Sequence, residues 1–80
     1  MVKVGKWSAQ RTFRTKIYHG KTNKLYRLYG PTLDSSLLVY VDNVKIGPLY
    51  GRQTLDVEGN LIEIKAVSAN FLKGEYELLS

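Results

Sequence analysis

The residues with the clearest capacity to bind a ligand are basic and aromatic residues in the first third of the chain. Lysine and arginine neutralise phosphate groups, and aromatic rings stack on unpaired bases, so this mixture is typical of a surface that contacts nucleic acid. The same cations would also fit an acidic protein surface. The candidate binding residues for a polyanion or an acidic partner are Arg11, Arg14, Lys16, Tyr18, Lys21, Lys24, Tyr26 and Arg27.

The distribution of charge along the chain supports this prediction. Eight lysines and arginines, and no acidic residue, precede Asp34. From Asp34 onward there are four basic and seven acidic residues, so the net charge of +5 consists of +8 in the first part and −3 in the second. A segregation of this size indicates contact with a polyanion or with a charge-complementary protein.

Residues that could support catalysis or hold a cofactor are sparse. His19 is the only histidine and there is no cysteine, so zinc, iron–sulfur and thiol chemistry are excluded. A nucleophile–base pair needs a histidine near a serine or cysteine, together with an orienting acid. Asp34, Ser35 and Ser36 supply an acid and hydroxyls but no base. The sequence therefore predicts no enzyme, no cofactor and no metal site.

A basic hairpin is predicted at about residues 10–30. Its strands are the runs 10–19 and 25–29, and the intervening segment reads as a turn because Gly20 and Asn23 tolerate positive φ. Period-two alternation along each strand gives the faces of the hairpin. It places Arg14, Lys16 and Tyr18 on one face of the first strand, and it aligns Lys24, Tyr26 and Leu28 on the second.

The rest of the chain also predicts short strands. β-Branched and aromatic residues occur in runs separated by Gly, Asn, Asp and Pro, and no window fits the apolar spacing of a helix. Turns are predicted at 42–43 and 58–60, and a stop at 47–48. The further strands are predicted at 2–7, 37–41, 44–46, 53–57, 61–67 and from residue 74 onward.

These elements predict a single β domain over residues 1–80, because a second core would not fit in a chain of this length. Seven or eight strands with a turn every 8–12 residues favour a small antiparallel sandwich or barrel. Trp7 is predicted to pack in the core, and the alternative is that it anchors an interface. No apolar run reaches the 18 or so residues that span a bilayer, and the first residues do not form a signal peptide, so neither feature is predicted.

The second half of the sequence resembles known β modules. Residues 37–47 resemble the VYVDG-x-x-x-G hairpin of many β-sandwich and jelly-roll proteins, and 55–66 with 74–78 resemble their closing strands. Modules of this kind occur as capsid, decoration and tail proteins of phages and archaeal viruses. The resemblance implies a jelly-roll or Ig-like sandwich, and a small OB- or SH3-like barrel is the alternative.

Three functions are compatible with these observations. The first is a structural or assembly protein, a minor virion component that binds other subunits through β-sheet and tyrosine-rich surfaces, as a homo-oligomer or within a larger assembly. Its expected location is the virion or the host cytoplasm. The second is a small basic β-barrel that contacts nucleic acid through residues 11–27. The third is carbohydrate binding through exposed Trp7, Tyr26 and Tyr29.

Overall fold

The computed structural model describes residues 3–32 and 34–79, which form six antiparallel strands in one open sheet and no helix. The strands are β1 (Lys3–Gln10), β2 (Thr15–Tyr29), β3 (Ser36–Val41), β4 (Val44–Tyr50), β5 (Thr54–Ala66) and β6 (Phe71–Leu78). Their order in the sheet is β1-β6-β2-β5-β3-β4. Among the described residues there is no helix with the length and apolarity that crossing a membrane requires.

The two long strands β2 and β5 pair along their length but bend at one place. His19 lies opposite Leu61 and Lys24 lies opposite Gly59, so residues 20–23 of β2 face only Asn60 of β5. Unpaired extra residues bend a strand and increase its twist. The paired strands β2 and β5 therefore bend at residues 20–23 and 60, and this bend divides the sheet into two halves.

The first half contains residues 15–19 of β2, residues 61–66 of β5, and strands β3 and β4. The second half contains residues 24–29 of β2, residues 54–59 of β5, and strands β6 and β1. Strand β1 approaches β5 although β6 and β2 lie between them in the sheet order. The sheet is thus folded back on itself, with an inner face and an outer face.

The core lies on the inner face and receives side chains from both halves. Alternate residues of each strand point to the same face of a sheet, and the alternation of apolar residues in β3 and β5 follows this rule. The largest fully buried side chains are Leu28, Leu37, Val39, Ile62 and Ile64. Trp7 is 4% exposed, which confirms its predicted place in the core.

Aromatic rings cover glycines on the pair β1–β6. Trp7 lies opposite Gly74, and Tyr76 lies opposite Gly5. A Cβ atom at position 74 would overlap the Trp7 indole, and one at position 5 would overlap the Tyr76 ring. The Trp7 Nε1–H also donates to the carbonyl oxygen of Tyr29 at 3.0 Å. The indole therefore fastens β1 to the end of β2 across β6.

The turn predicted at residues 42–43 is confirmed. Asp42 and Asn43 have φ of 50° and 67°, as a two-residue hairpin turn with left-handed residues requires. The Asp42 Oδ1 accepts from the backbone N–H groups of Asn60 and Leu61 at 3.1 and 2.9 Å. The turn is thereby held against the bend of β5.

The predicted stop at 47–48 is wrong, because β4 continues through Gly47 and Pro48 to Tyr50. Proline is tolerated there since β4 is an edge strand, where a missing N–H can face away from the ladder. The predicted hairpin at 10–30 and the turn at 58–60 are also wrong, because Thr15–Tyr29 and Thr54–Ala66 each form one continuous strand. A sandwich of seven or eight strands is not confirmed, since the described residues form six strands in one sheet.

Candidate nucleic-acid interface

A row of four side chains crosses the outer face of the first half. Lys16 of β2 lies opposite Glu63 of β5, Glu63 lies opposite Tyr40 of β3, and Tyr40 lies opposite Lys45 of β4. Residues directly opposite each other in antiparallel strands project from the same face. The row therefore places an exposed lysine at each end and a carboxylate and a phenol between them.

Arg14 lies over the middle of this row. Its Cζ is 3.8 Å from the centroid of the Tyr40 ring, and its guanidinium is 3.5 Å from the Glu63 Oε1. The same Nη1–H donates to the Asn43 Oδ1 at 3.4 Å. One side chain that precedes β2 thus contacts β5, β3 and the β3–β4 turn. Its charge is held at the centre of the face.

Glu63 is the buried acid of this face. The residue is 9% exposed, and its Oε1 has no hydrogen-bond partner although the Arg14 guanidinium is close. Buried carboxylates in proteins are normally paired with a nearby cation. We infer that Glu63 orients Arg14 and offsets one of the positive charges above it.

Lys65 and Arg11 extend the cationic set. Lys65 is two residues beyond Glu63 on β5 and shares its face. Arg11 lies beside Lys65 around a shallow surface depression that also contacts Leu38 and Val67. The outer face of the first half, with its adjoining loop, is called the basic face below; its cations are Arg11, Arg14, Lys16, Lys45 and Lys65.

The second half has the opposite character. Its outer face carries the acids Asp56, Glu58, Glu75 and Glu77, interspersed with Lys6, Arg27 and Lys73. On the first half the carboxylates are Glu63 and Asp42, and Asp42 accepts two backbone hydrogen bonds. Charge is therefore segregated between two surfaces, and this division differs from the division along the sequence.

Contacts on the second half shift the pKa values of titratable groups. The Arg27 Nε–H donates to the Asp56 Oδ1 at 2.9 Å, and this hydrogen bond lowers the pKa of the Asp56 carboxyl. The Tyr29 O–H donates to the Glu77 carboxylate, which raises the pKa of Tyr29. The Arg27–Asp56 pair is exposed and contributes little to stability. These contacts satisfy charges on the second half and leave the basic face as the region of surplus cations.

The eight sequence-predicted binding residues occupy different places in the structure. Three of them belong to the basic face: Arg11, Arg14 and Lys16. Lys21 is exposed in the segment where β2 bends, Lys24 is half-buried beside it, and Arg27 pairs with Asp56 on the second half. The remaining two, Tyr18 and Tyr26, lie on the inner face.

The predicted positions of both tyrosines on the binding surface are wrong. A register shift between Lys16 and Tyr18 leaves Ile17 as an extra residue, so Tyr18 lies opposite Ile62 and packs against the core. Tyr26 is 7% exposed, and burial raises its pKa. With Trp7 and Tyr26 both buried, the surface expected to bind carbohydrate is not formed either.

Sequence reasoning missed Tyr40, Lys45 and Lys65 as members of the site. Alternation along 61–67 does place Glu63 and Lys65 on one face. The sequence gives no signal that this face adjoins Arg14 and Lys16, because that depends on the pairing of β2 with β5 and of β5 with β3.

In the part of the chain that the structure describes, no group of three or more His, Cys, Asp or Glu side chains is placed to hold a metal ion. His19 is exposed and lies opposite Leu61. Comparisons with protein-family models, curated proteins and solved structures each found no significant match to the chain. Its function is therefore inferred from its own geometry and charge.

Proposed function

We propose that this protein binds nucleic acid through the basic face. The observation that carries the proposal is the convergence of five cations, from the β1–β2 loop and from strands β2, β4 and β5, on one surface. Residues 45 and 65 lie far from residues 11–16 in the sequence, so this convergence is a property of the fold. Lysine and arginine on such a surface attract phosphates and release condensed counterions.

The dimensions of the row fit a sugar–phosphate backbone. Neighbouring strands lie about 4.8 Å apart, so the three steps from Lys16 to Lys45 span about 14 Å. A strand carries one phosphate per about 3.4 Å of duplex axis, and successive phosphates lie farther apart than this along the backbone itself, so the row is long enough for more than one of them. Successive phosphates could therefore lie along the row, with Arg14 at its centre.

A small barrel of the OB- or SH3-like kind is the finer architecture that we propose for the folded-back sheet. Strand β1 and the beginning of β2 face each other across a cavity of about 120 Å³ that is lined by Lys6, Ser8, Thr15 and Lys16, among others. These strands are not hydrogen-bonded neighbours, so the cavity would be the incompletely closed side of the barrel. OB-folds bind oligonucleotides on one strand face and its adjoining loops.

Nucleic-acid binding is expected to weaken steeply with salt. If all five cations contact phosphates, the slope of log K against log salt is about −3.5 for a single strand and about −4.5 for a duplex. Fluorescence anisotropy of labelled oligonucleotides over a range of salt concentrations measures this slope. Absence of binding at low salt, or a slope near zero, would contradict the proposal.

A role in assembly is the second candidate, and one feature of β4 favours it. This strand forms an edge of the sheet, and its Val44, Ile46 and Tyr50 are 61%, 43% and 55% exposed. Pro48 lacks an N–H, so a partner would pack on these side chains rather than extend the whole ladder. A subunit of a homo-oligomer or of a virion would use this edge for its contacts.

The assembly proposal predicts an oligomer that depends on β4. Ile46→Gln together with Tyr50→Gln is expected to convert it to a monomer in sedimentation-velocity experiments, because both changes replace exposed apolar surface with polar groups. Val4→Gln is the matched control, since Val4 is equally accessible but lies on the opposite edge strand. A wild-type protein that stays monomeric at high concentration would refute this candidate.

A further inference from the structure

The loop between β1 and β2 presents an aromatic ring between two cations of the basic face. Residues 11–14 read Arg-Thr-Phe-Arg, and Phe13 is 54% exposed. Burial of a phenylalanine side chain stabilises a fold, and a ring that is this exposed gives up much of that stabilisation. Exposed loop residues beside a charged surface are frequent sites of binding.

The loop is fixed at both ends. The Arg11 N–H donates to the carbonyl oxygen of Asn70 at 3.1 Å. At the other end, Arg14 contacts Tyr40, Glu63 and Asn43. Phe13 is therefore next in sequence to Arg14, whose guanidinium is fixed. Because the loop is already ordered, binding of a ligand to Phe13 would cost little additional backbone entropy.

Three tyrosine rings are already engaged by contacts within the protein. Arg14 covers the Tyr40 ring at 3.8 Å, and Tyr18 and Tyr26 pack against each other on the inner face with centroids 5.9 Å apart. Phe13, by contrast, has an exposed side chain, and it lies between Arg11 and Arg14 in the sequence.

We propose that Phe13 stacks on an unpaired base, so that the basic face takes single-stranded nucleic acid in preference to duplex. This inference rests on the proposed function. The bases of a duplex are stacked on each other and present no face to a protruding ring. A flexible single strand can place phosphates along the row and turn one base onto Phe13.

A series of variants at Phe13 separates stacking from simple apolar contact. Phe13→Ala and Phe13→Leu are expected to weaken binding to a single-stranded oligonucleotide by roughly 5- to 150-fold, the range for one stacked base. Phe13→Tyr should retain the wild-type affinity, and the affinity for a duplex of the same sequence should not change. Leucine is the matched control because it keeps the apolar surface and removes only the ring.

A spectroscopic readout follows from Phe13→Trp. The new indole would be exposed, whereas Trp7 is buried at 4% exposure. Stacking on a base should quench the emission of the new indole when the single strand is added, and duplex should have no such effect. Circular dichroism of each variant checks that the fold is retained.

Several outcomes would overturn the inference. They are equal losses for single strand and duplex, full affinity in Phe13→Leu, and a Phe13→Ala variant that loses binding only to anionic phosphatidylserine vesicles. The last result would assign the ring to a membrane surface. If binding depends on salt and on the basic face but not on Phe13, only the stacking inference fails; if it depends on neither, the proposed function fails as well.

Discussion

Lys45→Glu together with Lys65→Glu is expected to weaken nucleic-acid binding at least about a hundredfold and to reduce the magnitude of the salt slope by about two. The wild-type face has five cations against the carboxylates of Glu63 and Asp42. The double variant would have three cations against four carboxylates. The sign of the surface charge would thus be inverted, not merely reduced.

This pair is informative because both lysines lie outside the acid-free first third of the chain. Lys21→Glu together with Lys73→Glu is the matched control, with the same change in net charge. Lys21 belongs to the cationic segment of the sequence but lies at the bend of β2, and Lys73 is exposed on β6 of the second half. If this control loses as much affinity as Lys45→Glu with Lys65→Glu, the net charge of the protein matters and the basic face does not.

Neither lysine is needed for the fold, so a loss of binding in the double variant can be separated from a loss of stability. Lys45 is exposed opposite Tyr40, and Lys65 is partly exposed opposite Leu38, with no acid facing either one. Surface substitutions of this kind change stability by about 0.5 kcal/mol or less. Urea unfolding of both double variants should therefore match that of the wild type.

The strand content could be predicted from the sequence, but the joining of strands could not. Gly20 with Asn23, and Gly59 with Asn60, both read as turn signals, and both fall inside continuous strands. The register shows that the two segments lie at the same level of the β2–β5 ladder. The two incorrect turn predictions thus have one cause. Glycine and asparagine, which tolerate unusual backbone geometry, lie here where the paired strands β2 and β5 bend.

The site was only partly predictable for a related reason. Arg11, Arg14 and Lys16 are close in sequence, and composition alone indicated them. One extra residue, Ile17, turns Tyr18 inward, and no periodic pattern predicts where such a shift occurs. Lys45 and Lys65 lie on the basic face because β3 pairs with both β4 and β5, and a single sequence does not specify such long-range pairing.

Gly74→Ala is expected to destabilise the protein by roughly 2–4 kcal/mol, which is a large part of the 4–12 kcal/mol typical of a domain this size. The new methyl group would overlap the Trp7 indole, which lies directly over Gly74. To relieve the overlap the ring must move, and its Nε1–H would lose the carbonyl oxygen of Tyr29. Urea unfolding measures the loss, and a red shift of Trp7 emission reports the displacement.

A double-mutant cycle tests whether the indole is the cause. Trp7→Leu alone should also destabilise, since it removes much of a buried side chain. In the Trp7→Leu background, Gly74→Ala should cost little, because the ring that the methyl group meets is gone. The two changes should therefore be strongly non-additive. Ser8→Ala, on the exposed side of β1, is the control and should leave stability almost unchanged.

Non-additivity would show that Trp7 and Gly74 act as one unit that fastens β1 to the rest of the sheet. Strand β1 pairs only with β6 among the described strands, and β6 pairs with β2 over just residues 76–78. The indole bridges this short connection by reaching the carbonyl oxygen of Tyr29 on β2. Loosening it would release the strand that leads into residues 11–14, so Gly74→Ala should weaken oligonucleotide binding as well as stability. Additive losses in the cycle would mean that the ring does not lie over Gly74, and that another contact holds β1 and its loop in place.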